Sequence, residues 1–194
     1  MDLRAKAIDI RKDIVNLIYH AGTGHIGGDL SVTDILVDLY YKQMNVGPDK
    51  VQDPERDRFV LSKGHCVEAL YTILADKGFF PKEELQTYSQ YLSKFIGHPN
   101  NKIAGVEVNS GSLGHGLAVG VGMALAAKMD QRAYRTYVVL GDGECDEGSV
   151  WEGAMAGPQY GLDNLTVFVD RNRLQISGTT EEVMGQDLSL IHIS

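Results

Sequence analysis

The sequence predicts an α/β domain in which a parallel sheet is flanked by helices. Three short apolar runs, at residues 59–61, 137–140 and 165–169, have the length and composition of buried strands. Segments with apolar residues at helical spacing lie before and between these runs. Strands that alternate with helices predict a parallel sheet, because each crossover between neighbouring parallel strands contains a helix.

Two predicted helices precede the first strand. Residues 1–20 carry apolar side chains at helical spacing, with charged residues largely on the other faces, and Gly22 then ends the helix. Ser31 and Asp34 are typical of an N-cap pair, so we expect a second helix to begin there and to extend to about Met44.

The remaining elements follow the first strand. Residues 62–65 predict a loop, and residues 67–75 return to helical spacing. Pro81 is typical of the first position of a helix, so we expect another helix there. In chain order, the sequence then predicts an open turn at 97–101, an extended segment at 105–109, a glycine-rich segment at 111–122 leading into a helix that ends near Met129, and a helix at 149–156.

The composition favours a cytoplasmic enzyme or binding domain. The 194 residues are 43% hydrophobic and 23% charged, as in ordinary globular proteins. With 18 Lys and Arg against 26 Asp and Glu, the net charge of −8 argues against nucleic acid or an anionic membrane as the main partner. The longest uncharged apolar run, residues 116–127, is too short to span a bilayer. Cys66 and Cys145 lie in unrelated segments and indicate neither a disulfide framework nor a zinc site.

Four of the six histidines directly follow a glycine, at predicted loops or helix starts. One such histidine is more often a solvated turn residue than a functional group, but four together favour a shared pocket. Their spacings match no compact zinc pattern, so a substrate pocket is favoured over a metal site. Imidazoles in such a pocket can hydrogen-bond hydroxyl groups and move protons near neutral pH. The four are His25, His65, His98 and His115.

A second candidate site lies where two predicted strands end. Asp142, between Gly141 and Gly143, follows one strand, and Asn172 follows the next after 172 − 142 = 30 positions, about one strand–helix–strand unit. Because parallel strands end at the same sheet edge, we expect these side chains to meet there. Carboxylate and amide oxygens suit Mg²⁺, and the flanking glycines allow a diphosphate to approach the backbone. A plain β-turn with Asn172 as a cap is the open alternative.

The glycines Gly114, Gly116 and Gly120 resemble a dinucleotide-binding loop, so a nicotinamide-dependent oxidoreductase is an alternative function. The acid that would bind the ribose is expected about 20 residues further on. The next strand ends only at Asp142, which is itself enclosed by glycines. Close packing of a helix against the sheet is the simpler explanation of these small residues.

Five motifs occur in order along the chain: Thr-Gly-His-Ile-Gly-Gly at 23–28, Asp-Arg-Phe-Val-Leu-Ser-Lys-Gly-His at 57–65, Gly-His-Pro at 97–99, Gly-Val-Glu-Val-Asn-Ser-Gly-Ser-Leu-Gly at 105–114, and Gly-Asp-Gly at 141–143 with Asp-Arg-Asn at 170–172. Together they resemble the diphosphate-binding N-terminal domain of transketolase, and most closely the separate N-terminal subunit of split transketolases. The resemblance covers residues 1 to about 187.

The resemblance implies a thiamine diphosphate-binding (PP-type) domain of an enzyme that moves a two-carbon ketol unit between ketose and aldose phosphates. By similarity, Asp142, Asn172 and the backbone carbonyl of Leu174 would hold Mg²⁺, for which Ca²⁺ or Mn²⁺ can substitute. His25 and His98 would hydrogen-bond the donor sugar, and Glu147 matches an acidic position in a relay near the dimer interface. The implied cofactor contacts are His65, Gly111, Ser112, Leu113, Gly141, Asp142, Gly143 and Asn172.

The resemblance also implies a partner. The carboxylate that activates the cofactor lies in the family's pyrimidine-binding domain, so we expect a C-terminal subunit or domain to supply it and two such units to form a dimer. A non-catalytic scaffold with the same fold is a further alternative, although a scaffold has no need of the Gly-His loops. Three residues depart from those that are usual in the family. Ile26 stands where proline is common, Cys66 where glycine or alanine is usual, and His115 where glutamine is frequent.

The carboxyl end departs from the resemblance. We expect a diphosphate-binding domain over residues 1–187 that is incomplete at its C-terminus. Residues 188–194 resemble a translated sequencing adapter, so we expect a non-native tail there, with a native edge strand as the alternative.

Overall fold

Three parallel strands form the central sheet, in the order β1-β2-β3. The computed structural model describes residues 1–185, and the predicted tail at 188–194 lies outside them. The strands are β1 (Arg58–Leu61), β2 (Thr136–Gly141) and β3 (Leu165–Asp170). Gly141 pairs with Asp170, so β2 and β3 end side by side. The three predicted strands and their parallel arrangement are confirmed.

Helices cover both faces of this sheet. On one face, Phe59, Leu61, Tyr137 and Val139 pack with the buried residues of three helices. On the other face, alternate residues of the same strands pack against two further helices. The predicted fold class is therefore confirmed. The helices of the first face are α1 (Leu3–Ala21), α2 (Ile26–Asp38) and α3 (Val67–Asp76), and those of the second are α4 (His115–Met129) and α5 (Gly148–Gln159).

The start of α2 differs from the prediction. The helix begins at Ile26, five residues before Ser31, and its first backbone bond runs from the Asp29 N–H to the His25 carbonyl. Ser31 and Asp34 therefore lie inside the helix and do not cap it. Their side chains have tertiary partners instead, since Ser31 Oγ donates to Asp170 and Asp34 pairs with Arg11.

The helix predicted at Pro81 is present as a short 3₁₀ helix, Lys82–Thr87, whereas the extended segment predicted at 105–109 is wrong. Residues 105–109 form no strand; Gly105 has a left-handed φ of +89°, and a Cβ there would lie 2.7 Å from Leu74 and 2.8 Å from Phe79. The sequence also failed to predict the C-terminal elements of the described chain, namely β4 (Leu174–Gln175), β5 (Gly178–Thr179) and α6 (Thr180–Met184).

The glycines of α4 allow this helix to lie close against the sheet. A Cβ at Gly116 would collide with Ser62, and one at Gly120 would collide with Val138 of β2. A Cβ at Gly114 would lie 2.6 Å from Ser149 Oγ. Packing thus accounts for the glycines that resemble a dinucleotide-binding loop. Within residues 1–185, no helix has the length and hydropathy needed to cross a membrane.

Candidate active site

Three of the four Gly-His loops meet above the sheet. The ring centroid of His25 lies 5.4 Å from that of His65 and 6.4 Å from that of His98. His25 precedes the first turn of α2, His65 lies in the turn between β1 and α3, and His98 lies in an irregular segment. We call the rings of these three residues the histidine cluster, and a substrate pocket at this cluster stays a prediction. His115 lies apart from these ring contacts at the start of α4, where its Nδ1 is 3.4 Å from the Leu113 carbonyl oxygen.

Glycines bring the loops of the histidine cluster into contact. Gly111 has a φ of +137°, and a Cβ there would lie 2.7 Å from the His98 ring. A Cβ at Gly64 would lie 2.7 Å from the Gly111 backbone nitrogen, and one at Gly28 would lie 2.6 Å from Cys66 Sγ. Larger side chains at these positions would separate the loops. Gly111, a predicted cofactor contact, is therefore next to the histidines.

The surroundings of His65 keep its imidazole neutral. Burial, followed by the positive charge of Lys63 and by the other two rings of the cluster, lowers the pKa of His65 to about 4. At neutral pH this ring therefore has one nitrogen that donates a hydrogen bond and one that accepts. A neutral imidazole can bind a polar group of a ligand without adding charge to the site.

The loops after β2 and β3 are joined through Asp142. Its Oδ2 accepts a hydrogen bond from the Arg173 N–H at 2.7 Å, and its Oδ1 accepts from the Gly143 N–H at 2.9 Å. Arg173 adopts a φ of +62°, which turns the chain directly after Asn172. Asn172 Oδ1 accepts from the Leu174 N–H at 3.0 Å. The structure thus brings the predicted metal ligands into adjoining loops at the carboxyl edge of the sheet.

Oxygen is the donor type throughout this group. Asp142 offers a carboxylate, Asn172 an amide oxygen and Leu174 a backbone carbonyl, and such oxygens are the usual protein ligands of Mg²⁺. In the described part of the chain, no three His, Cys, Asp or Glu side chains are arranged around a common metal position. The predicted set is of a different kind, with a single carboxylate among neutral oxygens. Residues of this type leave coordination positions for phosphate oxygens and water.

The two glycines beside Asp142 have different surroundings. A Cβ at Gly143 would lie 2.7 Å from the side chain of Gln175, so the close approach there is to β4. A Cβ at Gly141 would make only ordinary contacts, at 3.8 Å. The approach of a diphosphate to either backbone position stays a prediction.

The remaining predicted residues lie near the start of α4. Ser112 and Leu113 are exposed there, and Ser112 Oγ lies 3.4 Å from His115 Nδ1. Glu147 is exposed and precedes α5, where a Cβ at Gly114 would lie 2.7 Å from the Glu147 Cβ. Glu147 therefore lies beside the glycine-rich segment. It takes no part in the ring contacts that define the histidine cluster.

Sequence reasoning missed a buried carboxylate that ties the site together. Glu144 accepts hydrogen bonds from the Ser62 hydroxyl, from the Gly114 N–H at 2.8 Å and from the Gly141 N–H at 3.0 Å. It thereby joins the end of β1, the start of α4 and the end of β2. Its position directly after the Gly-Asp-Gly motif was the available signal.

A buried ion pair links the histidine cluster to the sheet edge. Lys63 Nζ lies 2.6 Å from Asp170 Oδ2, and Lys63 is 1% exposed. Ser31 Oγ donates to the other oxygen of Asp170 at 2.6 Å. Lys63 stands two positions before His65, and Asp170 stands two before Asn172. Both charged residues lie at the carboxyl ends of strands, which is where an α/β fold places its site residues.

Comparison with protein families decides the assignment. Residues 3–191 match the family model described as "Transketolase, thiamine diphosphate binding domain". The chain belongs to the transketolase family. Its matched region is the thiamine diphosphate-binding domain of transketolases, as the sequence motifs predict. The nicotinamide-dependent alternative is not favoured.

Relatives of this transketolase domain include proteins that are named as transketolase subunits. The chain is 60% identical over 174 residues to an apulose-4-phosphate transketolase subunit of Phocaeicola vulgatus, covering 90% of the chain and 62% of that subunit. It is 44% identical over 184 residues to the 6-deoxy-6-sulfo-D-fructose transketolase subunit SqwG of a Clostridium species, covering 94% of the chain and 67% of that subunit. The chain thus spans about two thirds of the length of these relatives.

Solved transketolase structures share the fold. The transketolase of Leishmania mexicana superposes with a TM-score of 0.92 at 27% identity, covering 98% of this chain and 30% of that one. The transketolase of Campylobacter jejuni superposes with a TM-score of 0.91 at 31% identity, covering 97% of this chain and 31% of that one. The described domain therefore corresponds to about a third of a single-chain transketolase.

Proposed function

We propose that this chain is the cofactor-binding half of a split transketolase that moves a two-carbon ketol unit from a ketose phosphate to an aldose phosphate. The observation that carries the proposal is the meeting of three Gly-His loops beside Gly111, in a domain of the transketolase family. Relatives of similar sequence are named as individual transketolase subunits, which supports a separate partner chain. We propose that this partner binds the pyrimidine end of the cofactor, and that two such pairs form a dimer.

The residues at the sheet edge fit a magnesium diphosphate. Asp142 is 6% exposed and its oxygens are fixed by the Gly143 and Arg173 N–H groups, so its position is set before any ligand binds. Asp142, Asn172 and the Leu174 carbonyl would hold Mg²⁺, which neutralises the diphosphate in a chain of net charge −8. Ca²⁺ and Mn²⁺ would serve as substitutes. Gly141 and Gly143 would border the diphosphate.

Thiamine diphosphate, when bound, supplies the chemistry that breaks and forms the carbon–carbon bond. The chain's own residues position the reactants. His25 and His98, with ring centroids 6.4 Å apart, would donate hydrogen bonds to neighbouring hydroxyls of the ketose. His65, neutral at pH 7, would contact the cofactor together with Gly111, Ser112 and Leu113. Glu147, outside the cluster, would act at the dimer interface.

A calorimetric titration tests the cofactor assignment. The 194-residue chain is mixed with the pyrimidine-binding subunit of a split transketolase, and the mixture is titrated with thiamine diphosphate, once with Mg²⁺ and once with a chelator. Saturable binding is expected only with Mg²⁺, and NADH titrated in parallel should not bind. A scaffold protein would bind neither compound, and an oxidoreductase would bind NADH alone.

A further inference from the structure

Two buried carboxyl groups, those of Asp29 and Glu68, lie behind the histidine cluster. Both residues are 0% exposed, and they stand in the first turns of α2 and α3. Asp29 Oδ1 accepts a hydrogen bond from the Ala69 N–H at 2.9 Å, and Glu68 Oε1 accepts from the Tyr88 hydroxyl at 2.7 Å. The second oxygen of each group, Asp29 Oδ2 and Glu68 Oε2, has no conventional donor among the described residues.

A single proton would satisfy both remaining oxygens. Burial, followed by the charge of Glu68, raises the pKa of Asp29 to about 8, and a hydrogen bond with Glu68 acts in the same direction. Two adjacent carboxylates in a dry interior repel each other, whereas one carboxylic acid can donate to its neighbour. The Asp29 carboxyl therefore keeps its proton at neutral pH and can donate it to a hydrogen bond with Glu68.

The other groups that face the pair do not supply a second positive charge. The Lys63 charge lowers the pKa of Asp29, but this ammonium group is already paired with Asp170. Burial raises the pKa of the Cys66 thiol to about 12, so the thiol is neutral. Burial also raises the pKa values of the Tyr71 and Tyr88 phenols above their ordinary value. A proton is thus the available means of neutralising one carboxylate.

The pair lies between the loops that carry His25 and His65. A Cβ at Gly24, the residue before His25, would lie 2.7 Å from Glu68 Oε1. Neither α2 nor α3 has a hydrogen bond from its N-cap side chain. Asp29 accepts from the third N–H group of α3 and so takes the place of a cap. The hydrogen bond from the Ala69 N–H to Asp29 therefore fixes the first turns of both helices relative to each other.

We propose that Asp29 and Glu68 share one proton and that this protonated pair positions His25 and His65 at the separation that the active site needs. The two acids are positioning residues, since they act through the helix ends. The role of the histidines in binding a sugar rests on the proposed function. The shared proton and its effect on the histidine rings are independent of that function.

The pH dependence of unfolding tests the shared proton. Asp29 binds its proton up to pH about 8 when folded but releases it near its ordinary value of 3.8 when unfolded. The folded state then binds more protons between these values, so stability should fall as the pH rises from 5 to 8. Asp29→Asn keeps an acceptor for the Ala69 N–H and provides a permanent donor to Glu68. Its melting temperature should therefore exceed that of the wild type by a margin that grows by several degrees across this range.

The ring signals of His65 test the positioning role. Because this imidazole has a pKa of about 4, it does not itself titrate above pH 7. In the wild type, its ¹⁵N shifts should nevertheless change between pH 7 and 9 with a midpoint near 8, as the pair loses its proton. In Asp29→Asn they should stay constant over this range.

Three outcomes would overturn the proposal. The first is a wild-type melting profile parallel to that of Asp29→Asn, and the second is a His65 titration that is identical in both proteins. The third is a wild-type pH dependence that disappears when Mg²⁺ or Ca²⁺ is added, because a cation would then occupy the place of the proton. Neither measurement uses cofactor or substrate, so a failure of the proposed function would leave both results readable.

Discussion

The buried Lys63 acts both on the histidine cluster and on the carboxyl edge of the sheet. Its ammonium group pairs with Asp170 at the sheet edge, and its charge helps to keep the nearby His65 neutral. A fully buried pair of this kind does not by itself stabilise a fold, because burying both charges costs much of what their attraction returns. Its value here is positional, since it holds the turn after β1 against the end of β3.

At the same scale, we expect Asp142→Ala and Asn172→Ala to abolish Mg²⁺-dependent binding of thiamine diphosphate. Each substitution removes a hard oxygen ligand, and the first also frees the Arg173 N–H. Calorimetry at fixed Mg²⁺, with the partner subunit present, measures the loss. Asp130→Ala, at the far end of α4, serves as the control because it replaces an exposed acid outside the site. Unchanged affinity in both site variants would leave only a simple turn at Gly-Asp-Gly.

His98→Ala should separate substrate binding from cofactor binding. The proposed hydrogen bonds of His98 are made to the sugar, so cofactor affinity should be retained while kcat with a ketose phosphate falls by about 100-fold or more. Steady-state kinetics at saturating cofactor give the answer, with His20→Ala on the exposed face of α1 as the control. Normal turnover together with a collapse in cofactor affinity would contradict this role.

At the scale of elements, local sequence patterns were sufficient for most of the fold. The apolar runs predicted all three central strands. Apolar residues at helical spacing, together with the positions of glycines, predicted α1, α3, α4 and α5 within a few residues. The start of α2 could not be predicted, because the polar residues Ser31 and Asp34 are held by Asp170 and Arg11, which are distant in the chain. The hairpin of β4 and β5 could not be predicted either, because strands of two residues are too short to show an alternation of apolar and polar side chains.

The candidate site was predictable to a similar extent. Motifs and strand ends predicted that histidines would lie together and that the loops of Asp142 and Asn172 would meet, and the structure shows this placement for three histidines and for both loops. Glu144 and the Asp29–Glu68 pair were missed because their partners are set by tertiary packing, across 40 positions in the case of Asp29 and Ala69. A charged residue in a mostly apolar segment gives no indication of which backbone group it will contact.

The glycines of α4 provide a matched test of the packing between helix and sheet. Gly120→Ala introduces a methyl group that collides with Val138, so it should lower the free energy of unfolding by about 1–3 kcal/mol. Gly122→Ala, two residues along, has no atom within 4 Å of the added methyl group. It should raise stability by up to about 1 kcal/mol through helix propensity.

Urea unfolding of the two α4 variants and the wild type measures both effects. Equal destabilisation would mean that the added methyl groups act on the helix itself rather than on its contact with β2. Stabilisation by both would mean that the helix can move away from the sheet without cost.

At the scale of the whole molecule, the described residues leave one side of the domain apolar and uncovered. Within the described residues, β3 pairs with β2 alone, and Val167 is 39% exposed. Beside it lies a cleft of about 530 Å³ lined largely by apolar side chains of α5 and β3, among them Trp151 and Leu165. Unpaired strand edges and apolar surfaces of this kind favour self-association. Measurements of activity therefore need the oligomeric state to be followed by size-exclusion chromatography.

The proposed function makes its strongest prediction at this scale, namely that the 194-residue chain alone has no transketolase activity even with thiamine diphosphate and Mg²⁺. Under the proposal, the described residues bind the diphosphate and the sugar, whereas the carboxylate that activates the pyrimidine ring comes from the partner. Four samples test this: the chain, the chain with its pyrimidine-binding partner, a chimera that adds the C-terminal part of the Phocaeicola vulgatus relative, and that chimera with the same partner. Turnover of a ketose phosphate should require the partner, and it should be highest for the chimera, whose length matches the relatives. Activity of the chain on its own would show that one chain holds the complete site, and the split-site proposal would then fail.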